Sequence, residues 1–204
     1  MAVLHATTMK PTKLELLTAW LPRQSWYEGG AATPELATSG GFRLDDPAGE
    51  VGIEIMVVTD TSGPEPVVYL VPMGYRGAES ADIPAEGLIG TSEHGVLGTR
   101  WIFDGTYDPV VTAQLRALLD GVAVPQHQRE SGRTEPTVVV EGAVPADGSE
   151  VRINRVLLPV DSAGEPRDTT GTQDGHSAPA RLVAGWTGPD GTAVRGVFAT
   201  AVRG

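Results

Sequence analysis

Apolar and polar residues alternate most regularly at positions 51–60. From 51 to 57 every second residue is apolar and β-branched, and Glu54 falls on the opposite side, so we predict a β-strand. The alternating residues are Val51, Ile53, Ile55 and Val57. The segment 64–76 follows turn-forming residues and is predicted to be the antiparallel partner. Pro72 has no backbone N–H, so it is expected at an edge, a bulge or the end of that strand.

Two segments have the spacing of short helices. Residues 11–21 place three leucines on one face, and the helix is expected to start at Thr12 or Pro11. A second helix is predicted to follow Asp108, with Pro109 at its first position and Gly121 at its end. Both helices are short, so most of the core must come from strands.

The C-terminal part of the sequence repeats itself. Residues 138–153 and 182–196 align without gaps, and each contains an Asp-Gly pair between two alternating runs. Since Asp-Gly favours tight hairpin turns, we predict two related β-hairpins at 137–158 and 180–202. The Gly-, Ser- and Thr-rich stretch 161–179 between them is predicted to be a mobile loop.

Further strands are expected at 41–46 and 99–105. The order of elements predicts an α+β fold built on an antiparallel sheet with two short helices. Residues 1–123 are expected to form the α+β domain, and residues 124–204 are expected to extend or flank the same sheet with their hairpins.

Composition narrows the range of functions. The formal net charge is −11 and the basic residues are not clustered, which argues against nucleic-acid and membrane partners. There is no cysteine, so disulfides and thiolate metal ligands are excluded. No stretch has the length of a signal or membrane-spanning segment, and a cytoplasmic protein is therefore expected.

Three motifs, in this order, carry a resemblance to a known family. They are PTKLELLTAWLPRQSWYEGG, VVYLVPMGYR and LIGTSEHGVLGTRWIFDGTYDPVVTAQL. Together they resemble the N-terminal cap domain of actinobacterial maltokinases and related glucosamine kinases, over roughly residues 1–121. The resemblance implies a cap with a cystatin-like topology, a small antiparallel sheet around a helix. In those kinases a bilobed catalytic region follows the cap.

The sequence has none of the motifs that phosphoryl transfer requires. Such a site needs a phosphate-binding cation, Mg²⁺ ligands and a catalytic Asp. Lys10 and Lys13 are the only lysines, and both lie before or within the first predicted helix. No histidine stands in the His-Gly-Asp pattern of this kinase class, and no Walker motif follows the paired glycines. We therefore expect a non-catalytic protein without metal or cofactor.

Six motif residues are candidates for binding a ligand or partner: Trp26, Tyr27, Arg76, Trp101, Asp104 and Asp108. Trp26 and Tyr27 are expected to be buried and to anchor the first helix on the sheet. An exposed recognition surface is the alternative, because Trp and Tyr are common interface anchors. Trp101 is expected in the core. Arg76 is expected to pair with a nearby acid or to reach a ligand, and the two aspartates to fix a turn and cap the second helix.

Three hypotheses follow. In the first, the protein is a non-catalytic cap-like module that binds a protein partner, a kinase or glucan or trehalose enzyme, in glycogen, maltose or trehalose metabolism; a second copy of the chain is another candidate partner. In the second, it binds a small sugar or sugar phosphate through Trp26, Tyr27 and Arg76. An enzyme with an unrecognised site is the third and least favoured hypothesis.

Overall fold

The computed structural model describes residues 9–30, 32–143, 149–160 and 179–203. Two α-helices lie in this part of the chain, α1 (Lys13–Trp20) and α2 (Pro109–Leu119). The strands are β1 (Met9–Lys10), β2 (Leu36–Leu44), β3 (Gly52–Asp60), β4 (Val67–Arg76), β5 (Leu88–His94), β6 (Gly98–Asp104), β7 (Gln126–His127), β8 (Val139–Glu141), β9 (Ser149–Ile153), β10 (Arg181–Thr187) and β11 (Ala193–Arg203). All belong to one 11-stranded sheet whose strand pairs are antiparallel, which confirms the α+β fold class.

Both predicted helices begin where their capping residues indicated. The Glu15 N–H donates to Thr12 Oγ1 (3.3 Å), and the Thr12 N–H donates to Glu15 Oε2 (2.7 Å), so α1 opens with a capping box. The Val110 N–H donates to Asp108 Oδ1 (2.9 Å) at the start of α2. Gly121 follows the end of α2 with φ +73°, a conformation that glycine adopts without steric cost.

The main strand order is β1-β5-β6-β4-β3-β2-β10-β11-β9, with β7 paired to β2 and β8 paired to β10. The alternation predicted for β3 is confirmed, because its successive side chains enter two different hydrophobic clusters. We call the first cluster the inner core. It contains the side chains of one face of β3 together with those of α2, and its members include Phe42, Ile53, Ile55, Val57, Leu70, Leu115, Leu157 and Phe198. The outer core packs the opposite face against α1 and includes Leu17, Trp20, Met56, Val58, Tyr69, Met73 and Ile102.

The sheet closes on itself through the segment 154–160. On one side of this segment, the Asn154 N–H donates to Phe198 O in β11 (2.9 Å). On its other side, the Leu70 N–H donates to Arg155 O (2.9 Å) and the Leu157 N–H donates to Val68 O (2.8 Å) in β4. The strands β4, β3, β2, β10 and β11 and this segment therefore form a closed ring around the inner core.

Pro72 lies where β4 changes partner along one edge. Before it, β4 bonds to the 154–160 segment, and after it, β4 pairs with β6 starting at Met73. The Gly105 N–H still donates to Pro72 O (2.8 Å), whereas the proline has no N–H to place between the two partners. Pro72 lies inside the strand rather than at its end. Because β4 changes from one neighbouring strand to the other at this residue, neither neighbour needs a backbone N–H from it.

Glycines allow β2 to bend toward β10. The register of β2 against β3 shifts between Thr38 and Gly40, and Gly40 pairs with Trp186 of β10. At Gly41, which has φ +128°, a Cβ would lie 2.1 Å from Ile55 O. Only glycine fits this position, so the bend that joins the two halves of the sheet depends on it.

The predicted hairpin 137–158 is wrong. In the described part of the chain, β8 pairs with β10 and β9 pairs with β11, so the two strands flank the β10–β11 hairpin instead of pairing with each other. The 180–202 hairpin is confirmed, and Gly191 in its turn has φ +82°. Asp147-Gly148 and residues 161–178 lie outside the described residues, so the equivalence of the two turns and the mobile loop stay predictions.

Other differences concern boundaries. Strand β2 begins at Leu36, earlier than the predicted 41–46, and β5 was not predicted as a strand. Strands from both predicted regions, 1–123 and 124–204, belong to the shared sheet. The division at residue 123 and the cystatin-like topology stay predictions.

The first prediction tests the closure through two adjacent leucines. Leu157 is 3% exposed in the inner core, whereas Leu158 is 66% exposed. We expect Leu157→Ala to lower the free energy of unfolding by about 2–5 kcal/mol, because it leaves a cavity, and Leu158→Ala to change it by less than about 0.5 kcal/mol. Urea unfolding followed by tryptophan fluorescence measures both. Equal effects of the two substitutions would contradict the closure.

Candidate functional site

The structure divides the six candidate residues between two faces of the sheet. Trp26, Tyr27 and Asp104 lie on the face that α1 covers. Arg76, Trp101 and Asp108 lie on the face that the N-terminus of α2 covers, as the alternation of β4 and β6 requires. The set proposed for sugar binding, which combined Trp26 and Tyr27 with Arg76, is therefore not brought together.

Aromatic rings form a cluster over the outer core. Trp26 lies edge-on to Trp20, with 5.7 Å between ring centroids, and 5.9 Å from Tyr69. Tyr27 stacks on the same Tyr69 ring at 5.6 Å. The Tyr69 hydroxyl accepts the N–H of Glu28 (2.9 Å), which fixes the loop after α1 against β4. Trp26 and Tyr27 are both half-buried, so they anchor this loop and keep part of each ring accessible to solvent.

The Tyr27 hydroxyl is held by a carboxylate at the end of β3. It donates to Asp60 Oδ2 (2.9 Å), while Asp60 Oδ1 accepts the N–H groups of Glu35 and Ser62 (3.0 Å each). Burial, together with the hydrogen bond to Asp60, raises the pKa of Tyr27 to about 12. Burial alone would raise the pKa of Asp60, but its hydrogen-bond donors, with Ser62 first, outweigh burial and lower it. Tyr27 thus serves as a neutral donor to a charged carboxylate.

Arg155 connects this aromatic cluster to Asp104. Its guanidinium carbon lies 4.9 Å from the centroid of the Trp26 ring, within the range of a cation–π contact. Its Nη2 donates to Asp104 Oδ2 and to Thr106 Oγ1 (2.7 Å). Asp104 Oδ1 also accepts the Thr106 N–H (3.1 Å). Asp104 therefore fixes a turn, as predicted, but it also pairs with an arginine from the closing segment, which sequence reasoning missed.

On the other face, Arg76 and Asp108 form a bidentate ion pair. Arg76 Nε donates to Asp108 Oδ2 (2.8 Å) and Arg76 Nη2 donates to Asp108 Oδ1 (2.7 Å). The prediction that Arg76 pairs with a nearby acid is confirmed, and so is the capping role of Asp108. Trp101 stands opposite Arg76 in the β4–β6 register and is half-buried, so the expectation that it lies in the core is wrong.

A buried carboxylate outside the six candidates, that of Glu54, accepts hydrogen bonds from three side chains. Glu54 Oε1 accepts from Lys13 Nζ (2.9 Å) and Gln128 Nε2 (2.8 Å), and Oε2 accepts from Lys13 Nζ (2.7 Å) and the Tyr75 hydroxyl (2.6 Å). We call these four residues the Glu54 cluster. Burial alone would raise the pKa of Glu54, but the Lys13 ammonium and the other donors lower it, whereas burial and Glu54 raise that of Tyr75.

The sequence contained a partial signal for the Glu54 cluster. Glu54 is the charged residue inside the most regular strand, on the face opposite the β-branched row, and that face is covered by the outer core. A charge on a covered face requires partners. Sequence spacing could not identify them, because they come from α1, β4 and the stretch after β7.

Comparison with known proteins supports the resemblance stated from the motifs. Residues 20–108 match the family model of the maltokinase N-terminal cap domain. The matched region resembles that family, and it contains all six candidate residues. No curated protein matches the chain significantly. Among the described residues, no group of three or more His, Cys, Asp or Glu could hold a metal ion, and no helix is long and apolar enough to cross a membrane.

The second prediction concerns the Glu54 cluster. We expect Glu54→Gln to lower the free energy of unfolding at pH 7 by about 1–3 kcal/mol, because a neutral amide replaces the buried charged acceptor of Lys13, Tyr75 and Gln128. Glu65→Gln, at an exposed position, is the control and should have little effect. Urea unfolding at several pH values provides the measurement.

The pH dependence of the same variants has a defined sign. The pKa of Glu54 is lowered in the folded protein, so its stabilising effect is present above the ordinary glutamate pKa and is lost as the pH falls through the folded value. The loss of stability on acidification should therefore be smaller in Glu54→Gln than in Glu65→Gln. If the free energy of unfolding fell equally with decreasing pH in the two variants, the lowered pKa of Glu54 would be contradicted.

Proposed function

We propose that this protein is a non-catalytic cap-like module that acts by binding a protein partner. The observation that carries the proposal is the match of residues 20–108 to the maltokinase N-terminal cap domain. The expected partner is a kinase or another enzyme of glycogen, maltose or trehalose metabolism, in the cytoplasm. The module would dock on this separate chain as a covalent cap sits beside its kinase domain.

The contacts of the candidate residues support a structural rather than a chemical role for them. The Asp108 carboxylate is engaged by Arg76 and the cap of α2, and that of Asp104 by Arg155 and the Thr106 N–H. The Tyr27 hydroxyl donates to Asp60. A catalytic or ligand-binding group must have an atom available to its substrate, whereas these polar atoms already hold the fold together.

The turn between β5 and β6 offers a docking feature within the matched region. Val96 is 63% exposed and Leu97 is 44% exposed. His94 Nδ1 accepts the N–H groups of Val96 (3.3 Å) and Leu97 (3.1 Å), and Gly98 completes the turn with φ +70°. Two apolar side chains on a turn fixed in this way lose little conformational entropy on binding, which suits a protein contact.

The third prediction is that the purified protein, supplied with ATP and Mg²⁺, neither hydrolyses ATP nor phosphorylates maltose or glucosamine. The physical reason is that the motifs for holding phosphate and metal are absent from these 204 residues. Coupled ADP-release and phosphorus NMR assays measure both reactions. Turnover that a single substitution in this chain abolishes would refute a non-catalytic role.

The fourth prediction concerns the turn between β5 and β6, which carries Val96 and Leu97. We expect the protein to capture a kinase or glucan enzyme from lysate of the native source, and the double substitution Val96→Ser and Leu97→Ser to reduce recovery of that enzyme at least about tenfold. The matched control replaces Val122 and Val124 with Ser, since these residues are 77% and 53% exposed but lie outside the matched region. Quantitative mass spectrometry measures recovery. Equal losses in the two variants would exclude the turn as the docking feature.

A further inference from the structure

The stretch 125–135 forms a small loop that is held against β2. Its strand β7 pairs with Arg43 and Phe42 of β2. The His127 N–H donates to Arg133 O (2.6 Å), and the Glu135 N–H donates to Pro125 O (2.9 Å), so the two ends of the loop are bonded to each other. We call residues 125–135 the His127 loop.

His127 fixes the tip of this loop through one ring nitrogen. Its Nδ1 accepts the backbone N–H groups of Arg129 and Glu130, each at 3.2 Å. Only an unprotonated Nδ1 can accept these bonds, so the imidazole must be neutral with its proton on Nε2. In a protonated ring, Nδ1 would carry a hydrogen that points at the backbone N–H groups of Arg129 and Glu130. Three donors would then face one another, and the contacts would become repulsive.

The same loop reaches the Glu54 cluster. Gln128, the residue after His127, donates from Nε2 to Glu54 Oε1 (2.8 Å). The orientation of Gln128 depends on the backbone between His127 and Arg129, which the imidazole holds. Gln128 thus connects the backbone that His127 holds to a carboxylate that also binds Lys13 and Tyr75.

The charged groups near His127 act in both directions. On its own loop, Arg129 and Arg133 disfavour a cationic ring, whereas Glu130 favours it and is engaged by Arg133 Nη1 (2.8 Å). On β2, Arg43 stands opposite Gln126, and on β3, Glu54 lies beyond Gln128. None of these groups replaces the two bonds that protonation of Nδ1 removes.

We propose that His127 is a pH-sensitive latch: the neutral imidazole keeps the His127 loop closed with Gln128 on Glu54, and protonation opens the loop and releases Gln128. Histidine is the residue type whose charge ordinarily changes in mildly acidic solution, so the test of the latch compares slightly alkaline with mildly acidic solution. It is an intramolecular switch and does not depend on the identity of any partner.

The test follows the full-length protein by NMR between pH 8 and pH 5. We expect hydrogen-exchange protection of the Arg129 and Glu130 amides, after correction for intrinsic exchange, to fall at least about tenfold, the change expected for the loss of one or two hydrogen bonds. The Gln128 side-chain amide should shift with the same midpoint. The imidazole ¹⁵N resonances of His127 report its protonation directly, and a midpoint different from that of the two amides would overturn the proposal.

Two variants separate the latch from a general effect of pH. His127→Asn supplies a side-chain oxygen that can accept the same two N–H groups and does not titrate, so protection should persist at pH 5. His127→Ala should lose protection at both pH values. A wild type that keeps its protection at pH 5, or an Asn variant that loses it as the wild type does, would overturn the proposal.

Discussion

The pairing of β4 with the segment 154–160 is the contact on which the rest of the structure depends. Leu70 and Leu157 donate the two backbone hydrogen bonds that join the first and last parts of the sheet. Without them, the edge of β4 before Pro72 would expose unpaired backbone groups, and the inner core would be open on one side. The matched cap region and the C-terminal strands therefore share one core, and Leu157 belongs to it.

This closure also changes how the motif residues are understood. Arg155 enters with the closing segment and contacts both Trp26 and Asp104, two residues that the sequence suggested as ligand contacts. On the opposite face, Arg76 and Asp108 satisfy each other. The aromatic and charged residues that distinguish the motifs mainly connect elements of the fold, whereas Val96 and Leu97, in the turn between β5 and β6, are exposed apolar residues of the matched region.

The Glu54 cluster and the His127 loop share a physical principle. A carboxylate that burial would neutralise stays charged because Lys13, Tyr75 and Gln128 surround it. One of these donors comes from a loop whose shape requires a neutral imidazole. A buried charge is thereby linked to a titratable group near the surface, which gives the fold a route for responding to pH that no single residue provides.

Local rules were sufficient where the deciding contacts are close in sequence. Alternation identified β3, the capping residues Thr12 and Asp108 set the starts of both helices, and Asp190-Gly191 marked its hairpin turn. The motifs also indicated the resemblance to the cap domain that the family model supports over residues 20–108, and the sequence suggested that Arg76 pairs with an acid. Only the tertiary structure decided that β8 and β9 flank the second hairpin, that Arg155 covers Trp26, and which donors surround Glu54. The physical reason is that the alternation of side chains determines which face of a strand is buried. The backbone groups that pair at the edges are the same in every strand, so the pairing partner depends on how the whole core packs.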